Sequence, residues 1–169
     1  GRGVSGGPVR QYRRPDDGVS ASPDSEGPAS VMGPPIRPPN LGHHDALWTG
    51  LTSGMLDSVG TDHCPFTMEQ KRMGKDNFTL IPNGAAGVED RLQLLYTYGV
   101  ADGKFDLQRM VALGSTNPAR IFGLYPRKGT VAVGSDADLV VYDPTYTGIR
   151  SAKTHHSRCD RNIFEGFKV

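Results

Sequence analysis

Long apolar runs are missing from this 169-residue sequence, and none that it has could span a bilayer. The first residues, Gly1 to Gly7, contain no apolar h-region, so they do not read as a secretory signal. An initiator methionine is missing too, which points to an incomplete chain. Neither sign of charge is in excess: 19 Lys and Arg face 18 Asp and Glu, for a formal net charge of +1. That balance gives no electrostatic footprint for nucleic acid or an anionic membrane as partner. Cysteine is scarce. Cys64 and Cys159 are too few for a disulfide framework and suit a reducing, cytoplasmic setting. No C-x-x-C accompanies Cys159 or the adjacent pair His155 and His156, so a zinc-finger reading is poor.

Aliphatic periodicity is missing from residues 1–30, which are rich in Gly, Pro, Ser, Arg and Asp. Such a segment cannot bury enough apolar surface to offset the entropy of ordering it, so it reads as a disordered tail. Arg10, Arg13 and Arg14 cluster there, but Asp16 and Asp17 follow at once. Val31 to Pro39 then reads VMGPPIRPP. Its prolines force an extended path and remove backbone donors. Gly33 allows a backbone approach that a side chain would block. The segment is either a rigid linker or a loop whose backbone polar groups face a ligand.

The rest of the chain is organised around Gly60-Thr61-Asp62-His63-Cys64-Pro65-Phe66. It follows an apolar run, Met55 to Val59, that reads as a buried strand. Asp62 falls just past the strand's end, the rim where a (β/α)₈ barrel does its chemistry. Its carboxylate can ligate a metal and carry a proton, or it can simply cap a turn. Cys64 reads as a small packing residue. Pro82 to Gly87 is a loop of small residues, and its Asn83-Gly84 pair tolerates positive φ. Such loops let a substrate touch backbone.

Spacing and start signals mark four helical elements. Leu47, Trp48 and Leu51 give a short helix over 43–52, with His43 and His44 in surface or capping roles. Val88, Leu92, Leu95 and Tyr96 give another, with Glu89 and Asp90 complementing its dipole and Gly99 ending it. Asp106 caps a helix carrying Leu107, Met110 and Val111. Asn117-Pro118 starts a further one, with Ile121 and Phe122 inward and Gly123 as its stop. From Lys128 the period changes, and Gly129 to Val133 and Leu139 to Tyr142 read as strands. Asp136 and Asp138 read as turn and edge residues, because no calcium-loop spacing surrounds them.

An ordered set of six segments resembles one family. They are VMGPPIRP at 31–38, GTDHCPF at 60–66, PNGAAGVEDR at 82–91, STNPARIFGLYPRKG at 115–129, VGSDADLVVYDP at 133–144 and SAKTHH at 151–156. Together they are similar to the dihydropyrimidinase and hydantoinase branch of the amidohydrolase superfamily. The resemblance implies an α/β fold: the C-terminal part of a (β/α)₈ TIM-like barrel over 31–127, then an incomplete β-sandwich segment over 128–169. Residues 1–30 do not match the pattern. It also implies two zinc ions with a bridging hydroxide that attacks a cyclic amide, and a homotetramer for the whole enzyme. By motif position Asp62 would ligate one zinc and pass the proton to the leaving nitrogen. Asn83 and the backbone at Gly33 would bind the substrate's amide edge. The family's other ligands are an H-x-H pair, a carboxylated lysine and two further histidines. None is in this sequence, so the chain alone is expected to be inactive.

Three functions compete on these grounds. One is a cyclic-amide hydrolase of which this chain is the C-terminal part. Another is a non-enzymatic relative working as an assembly partner, as the collapsin-response mediator proteins do. The third is an inactive truncated product. Asp62, which those assembly proteins have lost, favours the enzyme.

Overall fold

The computed structural model describes residues 3–4, 28, 31–35 and 41–169. Most of the expected tail over 1–30, and the stretch 36–40, lie outside them. Where the tail is described it departs from the expectation of disorder. Gly3–Val4 is a strand, β1, which pairs in parallel with β2 (Ser58–Val59) in the register Gly3 to Ser58 and Val4 to Val59. The backbone of half-buried β2 needs a ladder partner, and β1 supplies it.

β2 is shorter than the expected run from Met55. Met55 is exposed, and the strand begins only at Ser58. Before it stands α1 (His43–Ser53), placed between Gly42 and Gly54, both in the left-handed region. Leu51 faces the core and Gly50 lies against Leu56. His44 is buried, not at the surface as the sequence suggested, and its Nε2 has no partner among the described residues. The polar stretch 67–77 contains an unexpected short helix, α2 (Met68–Arg72). A capping box sets it up: the Thr67 hydroxyl accepts from the Gln70 N–H, and the Gln70 side chain accepts from the Thr67 N–H. The Met68 N–H donates to Asp160, which ties α2 to the C-terminal segment.

α3 (Arg91–Leu95) runs on without a break into a π-helical turn, Tyr96–Ala101. Gly99 therefore does not end this helix. It is buried, and a Cβ there would come within 2.2 Å of the Phe105 ring. Asp106 caps α4 (Leu107–Val111) by accepting from the Arg109 N–H at 2.7 Å. α4 continues through a second π-helical turn, Ala112–Thr116, into α5 (Asn117–Ile121). Asn117 is thus no cap: its side-chain amide donates to the Asp57 carbonyl beside β2. Ala119 packs inward, whereas Ile121 and Phe122 are exposed. Gly123 has the positive φ of a stop.

The core gathers Leu51, Leu94, Leu95, Met110, Leu113 and Phe164. Arg109 binds α4 to α1 by donating to the Leu51 and Leu56 carbonyls, both at 2.8 Å. No strand forms over 129–133 or 139–142, contrary to the periodicity. Val131, Val133 and Leu139 to Val141 are exposed, and their backbone meets no ladder among the described residues. Asp136 and Asp138 pair with Lys128, and Asp136 also with Arg127.

Candidate functional site

Asp62 follows β2 by three residues and is the one non-glycine residue with positive φ, 47°, among the described residues. Aspartate tolerates the left-handed region better than most residues, but the conformation still costs energy, and such costs concentrate at functional sites. The turn is held from both sides. His63 bridges in parallel to Ala85, and the Cys64 N–H donates to the Ala85 carbonyl at 3.1 Å. Cys64 is exposed and free, not packed as its small size suggested.

This pairing brings the turn against the small-residue loop 82–87. Gly84, with φ 142°, lies so close to Cys64 that a Cβ would be 2.6 Å from the Cys64 carbonyl oxygen. The loop's other side meets residues 31–35, where the Gly84 N–H donates to the Val31 carbonyl at 3.3 Å. The result is a cavity of about 80 Å³ lined by Met32, Gly33, Thr61, Asp62, Gly84 and Arg91, among others. Two of the three expected site residues, Asp62 and Gly33, therefore share one cavity. The side chain of Asn83 is exposed at its edge and does not line it.

Several residues that build the site carried no signal in the sequence. The His63 ring lies behind the turn, its Nδ1 accepting from the Gly87 and Val88 N–H groups at 3.1 and 3.2 Å. Two donors on Nδ1 fix the tautomer with the proton on Nε2. Arg91 donates from Nη1 to the Val59 carbonyl at the end of β2, while its buried Nε has no partner among the described residues. Lys71 is buried, and burial lowers its pKa below the ordinary lysine value, a nearby Cys64 opposing and Arg161 adding to the shift. Glu89 and Asp90 lie before the first turn of α3, not within it, and their side chains are engaged elsewhere. Asp90 is buried and accepts from Arg150 Nε at 2.5 Å and from the Asn162 amide. Arg150 also donates to Gln93 at 2.7 Å and to Glu89 at 3.3 Å. This network clamps the C-terminal segment onto the start of α3.

A zinc pair asks for more donors than these. Among the described residues no three His, Cys, Asp or Glu side chains are grouped to share an ion, and Asp62 offers one carboxylate. The residues present do not by themselves fit the metal that the resemblance implies. His155 and His156 diverge: His155 Nε2 lies 2.8 Å from the Cys159 carbonyl, and His156 pairs with Glu89.

Comparison with known proteins places this geometry. A D-hydantoinase of Geobacillus stearothermophilus is 44% identical over 170 residues, covering 100% of this chain and 36% of its own length. A dihydropyrimidinase of Rattus norvegicus is 53% identical over 136 residues, covering 80% of this chain and 26% of its own. Among solved structures, a D-hydantoinase from Thermus sp. superposes with a TM-score of 0.81 at 55% identity, over 84% of this chain and 31% of that one. The dihydropyrimidinase of Brevibacillus agri superposes with a TM-score of 0.84 at 47% identity, over 88% and 32%. The chain thus spans about a third of the length of these relatives and shares the fold of the part it matches. The amidohydrolase family model matches residues 42–168. With the Asp62 turn, the 82–87 loop and the C-terminal segment all inside that match, the chain belongs to the amidohydrolase family.

Proposed function

We propose that this chain is the C-terminal part of a hydrolase that opens a cyclic amide ring, that of a dihydropyrimidine or a hydantoin. The observation that carries the reading is Asp62, held in a left-handed turn just past β2 and lining one cavity with Gly33 and Gly84. A carboxylate so placed can take the proton of the attacking water and return it to the leaving nitrogen. Once the C–N bond breaks, the ring nitrogen keeps that proton and leaves as the terminal NH2 of the ureido group of the ring-opened acid. The backbone at Gly33 and the loop of Asn83 present polar groups to the amide edge of the ring. The relatives named D-hydantoinase and dihydropyrimidinase support this substrate class. Residues 31–127 are assigned to a TIM-like barrel and 128–169 to a β-sandwich segment. The pairing of β1 with β2 supports counting Gly3–Val4 with the barrel part in this reading.

Asp62 alone does not complete a zinc site, so residues 1–169 by themselves are expected to hydrolyse nothing. The test belongs to the full-length protein carrying them. Asp62→Asn keeps the size of the side chain and removes its basicity. Turnover of dihydrouracil, followed by ultraviolet absorbance, is expected to fall by about 10²–10⁴, the usual worth of a proton-transfer group. Residual activity above about a tenth of wild type, a barrier change of only ~1.4 kcal/mol, would overturn the assignment.

A further inference from the structure

The three segments that form the candidate site meet on one buried side chain. Lys71 leaves α2 with only 3% of its surface exposed. Its ammonium donates to the Val31 carbonyl at 2.8 Å and to the Pro82 carbonyl at 2.5 Å. It also lies 5.4 Å from the centre of the Phe66 ring, at the end of the Asp62 segment. Val31 is two residues before Gly33, Pro82 is next to Asn83, and Phe66 is four residues after Asp62. We propose that Lys71 is a positioning residue, setting the spacing of the two backbone loops that take the substrate's amide edge. This deepens the cyclic-amide reading and rests on it.

The chemistry suits the task. A buried cation is tolerated only when its protons are met, and two carbonyls with an aromatic face meet them. Charge-assisted bonds of this length are stronger than neutral ones. The loops have little else between them: the described backbone bond joining them is the 3.3 Å contact from Gly84 N–H to Val31. α2 itself is fixed by its capping box and by Asp160, so the ammonium projects from a held base. Removing the ammonium takes its donor from the Pro82 carbonyl, leaves Val31 with the 3.3 Å bond from Gly84, and lets the loops drift apart. Asp62, which follows β2 and is held by the Cys64–Ala85 bond, keeps its place.

The test uses the full-length protein carrying Lys71→Met, which keeps the apolar stem, and Lys71→Arg, which can still reach both carbonyls. For Lys71→Met the KM for dihydrouracil or a hydantoin is expected to rise at least about tenfold, with kcat within about threefold, the signature of lost uniform binding. Lys71→Arg is expected to recover part of that loss. Amide hydrogen exchange gives a reading independent of turnover. In Lys71→Met the Gly84 N–H should exchange at least about tenfold faster, while the Leu94 N–H, bonded to Asp90, changes by less than about twofold. An unchanged KM, or unchanged exchange at Gly84, overturns the proposal. So does a loss shared equally by kcat, KM and Leu94 exchange, which is general destabilisation. Should the wild type open neither ring, the functional reading fails. The exchange experiment then decides the role of Lys71 alone.

Discussion

Gly84 is subject to two separate constraints, and they can be measured apart. Its φ of 142° is a conformation that residues with a Cβ rarely adopt, and a Cβ would also stand 2.6 Å from the Cys64 carbonyl oxygen and 2.7 Å from the Cys64 Cβ. Gly103 has a positive φ of 72° but nothing within 4 Å of a Cβ. Gly103→Ala is expected to cost about 1 kcal/mol from backbone strain. Gly84→Ala should cost about 2–4 kcal/mol, because displacement of Cys64 adds to the strain. Equal losses in denaturant melting of the full-length protein would show that the Cys64 contact carries no weight. The sequence made some of these residues legible and hid others. Asp62 stood out because a carboxylate follows an apolar run and precedes a proline, a local pattern. Lys71 did not, since the polar stretch around it looks solvated and its acceptors, Val31 and Pro82, are 40 and 11 residues away. Cys64 was misjudged for the opposite reason: small size suggests burial, yet its backbone is what the site uses.

Among the elements, most helices were legible, although α2 was not, and of the expected strands the run ending at Val59 was found in shortened form while those over 129–142 were not. The 3.6-residue pattern found α1, α3 and α4 because each buries a face against a neighbour within the chain. Their ends were less visible. Gly99 reads as a stop by residue type, but the Phe105 ring packs on its bare Cα and the helix continues through its π-helical turn. The Phe105 ring is in turn 6.1 Å from Trp48 on α1, so it cannot yield without losing that contact. Gly99→Ala is therefore expected to destabilise by about 1–2 kcal/mol, despite alanine's better helix propensity. In a Phe105→Ala background the sign should reverse, since the clash is gone and only the propensity gain remains. A cost that persists there would mean the Phe105 contact is not what excludes a side chain. Period-two reading failed over 129–142 for a different reason. It reports that residues suit a pleated surface, not that a partner edge exists, and Val141 is 99% exposed.

At the scale of the molecule, polar clamps join segments that are distant in sequence. Arg109 ties α4 to α1, Asn117 ties α5 to the approach to β2, and Arg150 ties the C-terminal segment to α3. The last clamp is the most charged. Its partners Glu89, Asp90 and Gln93 come from the start of α3, and the His156 N–H and ring also bind Glu89, at 2.7 and 3.0 Å. Burial alone would raise the pKa of Glu89, but the bonds from His156 and Arg150 outweigh it and hold the carboxyl below its ordinary 4.5. A carboxylate whose folded pKa is depressed favours folding above its unfolded value, and that contribution is lost as pH falls through the folded one. The C-terminal segment should thus stay clamped at neutral pH and begin to open below about pH 4.5, before the helices melt. Amide exchange of the His156 N–H as a function of pH reads this directly, with the Met110 N–H, bonded to Asp106 in α4, as the internal reference. Glu89→Gln, which cannot lose a charge, should flatten the pH dependence at His156 and leave a weaker clamp throughout. If the variant keeps the wild-type profile, Glu89 is not the group that titrates, and the clamp rests on Asp90 and Arg150 alone.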